Sequence, residues 1–273
     1  DRIQGRSADG AKSPEKKADA IIVHPDVRKM LLTMRSLNEA GRCFSTYVAK
    51  QLDIVKYSDN EQDRNKAEQL VALLTPVAKA FMTDMAFDNC ALGQMVFGGH
   101  GYVREWGQEQ LVRDVRIAQI YEGTNGIQAL VLLGRKIVAN KGAFLAVYIE
   151  EIESFINANK GNSDLHNYLE PLTESFSILK VVSAEVIENA ANDKFIVGAS
   201  AVDYLAVFGY VSYAYMWAMM EQVAVSNKDD EFYSAKRQVG QFYMQRILPR
   251  IHSHRAAISA GSSSLMSMNE DLF

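Results

Sequence analysis

The chain has 273 residues, enough for one large domain or two of ordinary size. Hydrophobic residues make up 48% and charged residues 23%, and only five prolines occur, which excludes a disordered chain and favours packed helices, since proline breaks helix interiors. The net charge of −4 excludes the basic footprint of a nucleic-acid binder.

The opening Asp1-Arg2-Ile3-Gln4-Gly5-Arg6 is neither an initiator region nor a signal peptide. It reads as the tail of an element that starts upstream, and the chain is expected to be a fragment. Gly5 to Asp19 is polar, rich in small residues and carries Ser13-Pro14, so a loop is expected there. His24-Pro25-Asp26 then opens a helix, with proline in the first turn where its missing N–H costs nothing. Met30, Leu31, Met34, Leu37, Ala40, Cys43, Phe44 and Tyr47 recur at three- and four-residue steps and carry that helix to about Ile54.

Asp59, Asn60 and Glu61 mark a turn. From Ala67 the same periodicity runs through Leu70, Leu73, Leu74, Val77, Phe81 and Met85 to Leu92, with Pro76 at the place where this helix could kink. Gly98-Gly99-His100-Gly101 ends it, as glycines beyond a last turn do. A shorter helix carries Leu111, Val112, Val115 and Ile117. Tyr121-Glu122-Gly123-Thr124 interrupts the pattern, and Asn125 with Gln128 resembles a cap for the next helix, which runs to about Asn140.

Four longer helices follow at about 143–159, 165–191, 195–225 and 231–259, with hinges at Lys160–Ser163, Asn192-Asp193 and Ser226–Asp230. No alternating strand pattern of useful length occurs. The expected fold is all-α: an antiparallel helical bundle over 1–138 and a second helical domain over 139–273.

The only two cysteines, Cys43 and Cys90, sit in helical stretches without metal-ligand spacing and read as buried thiols of a reducing, cytoplasmic setting. His252 and His254, two apart, do not share a helix face, so no metal site is expected. Arg246, Arg250 and Arg255 around them read as a solvated helix end. Tyr204 to Met220 is wholly uncharged. Gly198, Gly209, Ser212 and its tyrosines suit close helix packing better than a lipid-facing surface, so a buried helix is expected and a membrane contact is the alternative.

The informative stretch is Tyr121-Glu122-Gly123-Thr124, where a carboxylate stands between two helices beside a glycine. Position alone makes Glu122 a surface residue in a turn. The apolar Ile117, Ile120 and Tyr121 before it favour another reading, because an apolar surround disfavours a carboxylate's charged form and suits it to act as a general base. Similarly, Gly98-Gly99-His100-Gly101 alone is a helix stop, outside the strand–glycine–helix setting of a dinucleotide turn.

Phe97-Gly98-Gly99-His100-Gly101-Tyr102, then Arg113-Asp114 and Ile120-Tyr121-Glu122-Gly123-Thr124, resembles in order and spacing the C-terminal signature of acyl-CoA dehydrogenases. Arg2 and His24 to Leu31 resemble the segments that precede it in that family, so the resemblance covers about residues 1–138. The remainder, notably Phe232 to Lys236 and Ala257 to Gly261, resembles the helical extension of a bacterial subgroup that includes 3-methylmercaptopropionyl-CoA dehydrogenases.

The resemblance implies that Glu122 takes the α-proton of an acyl-CoA thioester while a β-hydride passes to FAD. The Glu122 N–H would polarise the thioester carbonyl, and Tyr121 and Gly123 would meet the substrate. Thr124, Arg2 and the Gly98-Gly99 loop would contact FAD, the loop reaching the cofactor of a neighbouring subunit. It further implies a homodimer or homotetramer and an electron-transfer flavoprotein as electron acceptor. Three positions depart from the family pattern: Gln94 is displaced with Met95 near its place, Gly126 stands where glutamine is frequent, and the Arg2 loop lacks a phenylalanine. An acyl-CoA oxidase of the same superfamily and a non-catalytic assembly or membrane-contact module are the alternatives.

Overall fold

The computed structural model describes residues 2–227 and 229–273. Its helices are α1 (Pro25–Tyr57), α2 (Glu61–Phe97), α3 (Gly99–Tyr102), α4 (Gln108–Arg116), α5 (Asn125–Leu130), α6 (Ala143–Asn159), α7 (His166–Asn189), α8 (Ile196–Ala224), α9 (Glu231–Phe242), α10 (Ile251–Ser259) and α11 (Ser263–Met266). Among the described residues there is no strand, only one antiparallel bridge between Ile3 and Ala20. The all-α expectation holds.

Helices α1 and α2 form the long antiparallel pair on which the rest is laid. Pro25 is the first residue of α1 with Asp26 beside it, a favourable start against the positive end of the helix dipole. The turn to α2 is capped by Asn60, whose side chain accepts from the Gln62 N–H at 2.9 Å. Helix α2 runs unbroken through Pro76, which is itself buried. Leu37, Ala40 and Phe44 of α1 and Leu70, Leu73, Leu74 and Val77 of α2 belong to one buried cluster.

Helix α8 completes that cluster. Every residue from Val207 to Ala218 is buried, the pattern of a central helix enclosed on all sides. Gly209 lets the Phe81 ring of α2 lie against the α8 backbone, since a Cβ there would overlap the ring. Phe81 in turn meets Tyr210 and Tyr213 edge-on, each with ring centroids 5.0 Å apart. By length and composition α2 and α8 could each cross a membrane, but 67% of α8's most apolar stretch is buried within the protein. The burial expected of α8 is therefore met inside one chain: Val207, Phe208 and Val211 are fully buried and Met219 partly so. Gly198, expected to serve packing, is exposed with no neighbour within 4 Å of a Cβ.

Two expectations for the C-terminal helices need correction. The single helix expected over 231–259 is broken: after α9 come a π-helical turn (Tyr243–Ile247) and a 3-10 turn (Leu248–Arg250) before α10. Pro249 is the cause, because it has no N–H to donate and its ring crowds the preceding turn. The basic end around α10 is also not simply solvated. His254 Nδ1 lies 2.8 Å from Asp203 Oδ1, and Arg255 donates to Glu185 at 2.9 Å, so this end seats α10 against α7 and α8.

The polar N-terminal loop is better ordered than its composition suggests. Asp19 is buried, and its carboxylate accepts from the backbone N–H groups of Ser7 (2.9 Å), Lys12 (2.9 Å) and Ser13 (2.8 Å) and from Arg6 (3.3 Å). These bonds, led by that from Ser7, hold its pKa down to about 2 against the opposing effect of burial. Asp19 thus ties the loop that follows Arg2 into a knot. Cys43 and Cys90 are free thiols, half-buried rather than buried, and burial pushes both up.

Candidate active site

The turn between α4 and α5 carries Tyr121, Glu122, Gly123 and Thr124. Glu122 has φ +55° and Gly123 φ +84°. Two successive left-handed residues turn the chain sharply, and at Glu122 this is strained because a Cβ crowds the carbonyl. Thr124 caps α5, its hydroxyl accepting from the Ile127 N–H at 3.4 Å. The cap expected at Asn125 therefore stands one residue earlier. Gln128, its expected partner, instead donates to the Glu122 carbonyl at 3.0 Å.

What holds the turn comes from α2. Lys79 Nζ donates to the Gly123 carbonyl at 2.7 Å and to Asn125 Oδ1 at 2.8 Å. Asn125 Nδ2 reaches Asp84 Oδ1 at 2.6 Å and Thr83 Oγ1 at 2.9 Å. Gln119, before the turn, donates to the same Asp84 oxygen at 2.6 Å. Sequence reading missed Lys79, Thr83 and Asp84. Their signal was a polar run at one-turn spacing inside the apolar pattern of α2, between Val77 and Met85.

Glu122 points outward. It is exposed, and Ile117, Ile120 and Tyr121 remain about half-exposed. The apolar surround expected for it is thus supplied in part only: the turn is moored to α2 by polar contacts, and no other described element of this chain lies over it. Among the described residues no backbone acceptor takes the Glu122 N–H, while Tyr121 N–H bonds to the Ile117 carbonyl at 3.0 Å.

The second group of sequence-singled residues gathers at the far end of α2. Gly98 has φ +61° and ψ −141°, a conformation open essentially to glycine. A Cβ there would come within 2.5 to 2.8 Å of the Arg2 guanidinium, which also donates to the Val96 carbonyl at 3.0 Å and to Gln4 at 2.7 Å. Gly99 has open space where a Cβ would stand, and Gly101 allows close approach to the Gln94 carbonyl. Gln94, displaced in the motif, donates to the Gly101 carbonyl at 3.1 Å and so braces this loop. Arg2, Phe97, His100 and Trp106 line a groove of ≈ 850 Å³ whose other walls are Ile21, Ile22, Val27 and Leu31.

The structure brings Arg2 to Gly98, and Glu122 to Gly123 and Thr124, but it does not bring the two groups together. Nineteen residues of α2 separate Lys79 from Gly98, about 28 Å at the rise of an α-helix. Among the described residues no cluster of His, Cys, Asp and Glu has metal-ligand geometry.

Residues 2–137 match the family model described as "Acyl-CoA dehydrogenase, C-terminal domain", and residues 148–269 match "Acetyl-CoA dehydrogenase C-terminal like". The 3-methylmercaptopropionyl-CoA dehydrogenase of Ruegeria pomeroyi is 31% identical over 271 residues, covering 97% of this chain and 45% of that protein. A butyryl-CoA dehydrogenase of Syntrophomonas wolfei is 29% identical over 290 residues, covering 99% of this chain and 45% of its own length. The chain thus spans about half the length of the curated relatives it matches. Among solved structures, an acyl-CoA dehydrogenase complexed with FAD from Bacillus anthracis shares the fold with a TM-score of 0.71 at 18% identity, over 94% of this chain and 45% of that one. The two family models together take in nearly the whole sequence, and the chain belongs to the acyl-CoA dehydrogenase family, matching its C-terminal half.

Proposed function

We propose that this chain is the catalytic C-terminal half of a flavin-dependent acyl-CoA dehydrogenase, with Glu122 as the base. The observation that carries this reading is the Tyr121-Glu122-Gly123-Thr124 motif on a strained left-handed turn that α2 holds open to solvent. Glu122 accepts the α-proton of the acyl-CoA, its carboxylate becoming the carboxylic acid, and the substrate's β-carbon gives up a hydride, leaving an α,β double bond. The Glu122 N–H, which no backbone acceptor among the described residues takes, donates to the thioester carbonyl as negative charge develops there. Tyr121 and Gly123 line the approach of the acyl chain.

FAD, when bound, supplies the hydride acceptor. The residues present fit it. Thr124 lies beside the base, and the exposed Arg2 guanidinium has N–H groups to spare for a phosphate after its bonds to Val96 and Gln4. Gly99 leaves backbone open beside Arg2, while Gly98, having no Cβ, lets the Arg2 guanidinium lie against the loop. Since about 28 Å of α2 separates the two groups, Glu122 and Thr124 serve one cofactor while Arg2, Gly98 and Gly99 reach that of a neighbouring subunit in a homodimer or homotetramer. In this reading 1–138 carries the chemistry and 139–273 supports it from behind through α8. An electron-transfer flavoprotein in the cytoplasm reoxidises the flavin.

The test is flavin content and anaerobic mixing with saturated acyl-CoA thioesters. The full-length protein should carry FAD and bleach with acyl-CoA, whereas the 273-residue chain alone should hold FAD weakly and turn nothing over. Stoichiometric FAD with steady oxidation by this chain alone would contradict the division of labour; a full-length protein without flavin would contradict the function.

A further inference from the structure

The turn that presents Glu122 is tied at both ends to a single atom. Gln119, three residues before Glu122, and Asn125, three after it, each donate a carboxamide N–H to Asp84 Oδ1 at 2.6 Å. Neither carboxamide is free to swing. Gln119 Oε1 accepts from Arg116 at 2.7 Å, and the Arg116 guanidinium lies 5.2 Å above the Phe87 ring. Asn125 Oδ1 accepts from Lys79 at 2.8 Å. The oxygens of both amides are thus engaged by cations, which leaves their N–H groups to face the carboxylate.

Between the two ties the backbone passes through left-handed conformations at Glu122 and Gly123. An L-residue does not hold that conformation unaided, and it persists where its surroundings over-determine it. Here the surroundings are one carboxylate at the two ends, with Lys79 on the Gly123 carbonyl and Gln128 on the Glu122 carbonyl between them. Asp84, Thr83 and Lys79 all lie on α2, whose Phe81 and Met85 are buried, so the ties lead to a helix seated in the core.

We infer that Asp84 is a positioning residue: it cinches both ends of the Gln119–Asn125 segment and so fixes the direction in which Glu122 presents its carboxylate. The inference rests on the reading of Glu122 as the base. Asp84 stands behind the turn and acts only through the two amides. Removing it lets Glu122 fall back toward an extended conformation, which misdirects proton transfer while contacts outside this segment keep the acyl-CoA and the flavin bound.

The experiment uses the full-length flavoprotein and the saturated acyl-CoA, from butyryl- to palmitoyl-CoA, that bleaches the unaltered protein fastest. Asp84→Ala should slow flavin reduction by about 10- to 100-fold, the cost of a misplacement of about 1 Å, with flavin content and acyl-CoA affinity within about twofold. The isotope effect from α-deuterated substrate should rise, because α-proton transfer becomes more limiting. Asp84→Asn keeps an acceptor oxygen and should recover most of the rate. If Asp84→Ala yields no folded flavoprotein, Gln119→Leu, which frees one end only, should show the same slower reduction and larger isotope effect.

Two results overturn the inference and are distinguishable. Should Asp84→Ala or Gln119→Leu lower thermal stability yet reduce flavin at the unaltered rate while Glu122→Gln is inactive, the ties are structural and the base assignment stands. Should Glu122→Gln itself reduce flavin normally, the base assignment fails and the positioning role goes with it.

Discussion

Helix α8 and the stretch from Met95 to Leu130 are both rich in large apolar side chains, and the protein treats them in opposite ways. In α8 every residue from Val207 to Ala218 is inside. From Met95 to Leu130, Tyr102, Trp106, Leu111, Ile117, Ile120, Tyr121 and Ile127 stand about half-exposed or more. The difference lies in the backbone. Helix α8 is one regular cylinder that other helices can surround, with Gly209 admitting Phe81. The other stretch is cut by left-handed residues at Gly98, Gly107, Glu122 and Gly123 into short pieces moored by polar bonds. A folded domain rarely leaves so much apolar surface together without a use for it, and here it surrounds both groups of candidate site residues.

Substitutions can break this contrast. The largest effect is expected for Val211→Asp, which puts an unpaired charge at a fully buried position in the centre of α8 and should cost about 3–5 kcal/mol. Urea unfolding would read it as a fall in midpoint; a loss under about 1 kcal/mol would mean that α8 is not the core helix described above.

A pH titration sharpens the contrast at the Arg2 end. Asp19 has its folded pKa lowered to about 2, below the ~3.9 of an unfolded aspartate. A depressed carboxylate stabilises above its unfolded value and loses that contribution as pH falls through the folded one. The N-terminal knot should therefore be intact at pH 5 and loosen between about pH 4 and 2. The amide resonances of Ser7, Lys12 and Ser13 should move together with a midpoint near 2; a midpoint near 4 would show that the carboxylate is not held as described.

The smallest effect is expected at the exposed face. Ile117→Ser, at a side chain 55% exposed, should change the stability of this chain by no more than about 0.5 kcal/mol. A loss of several kcal/mol would mean that the face is already covered within the chain.

Much of this was legible in the sequence. The heptad-like spacing of α1 and α2, the uncharged run of α8 and the hinges of the C-terminal helices predict elements that the structure places within a few residues. The positions of Glu122 and of Gly98-Gly99 follow from their motifs. What periodicity could not carry was polar and long-range. Asp19 gathers amides six to twelve residues away, Asp84 bonds residues 35 and 41 positions on, and Gly98 packs against Arg2 across 96 residues. Hydrophobic patterning reports which face is inside, and says nothing of which carboxylate meets which amide. The break at Pro249 was readable from proline chemistry but was hidden by the apolar repeat on either side.

The role of Glu122 as the proton acceptor is tested most directly by anaerobic single-turnover reduction of the full-length flavoprotein by acyl-CoA. Glu122→Gln keeps the shape of the side chain but cannot take a proton, and should lower the rate of flavin bleaching by about 10²- to 10⁴-fold with flavin and acyl-CoA still bound. Glu109→Gln is the control: it removes only the pair to Arg113 on α4, exposed at Arg113 and half-buried at Glu109, worth about 1 kcal/mol or less, and should bleach at the unaltered rate. Bleaching by Glu122→Gln as fast as by the Glu109→Gln control would contradict the account.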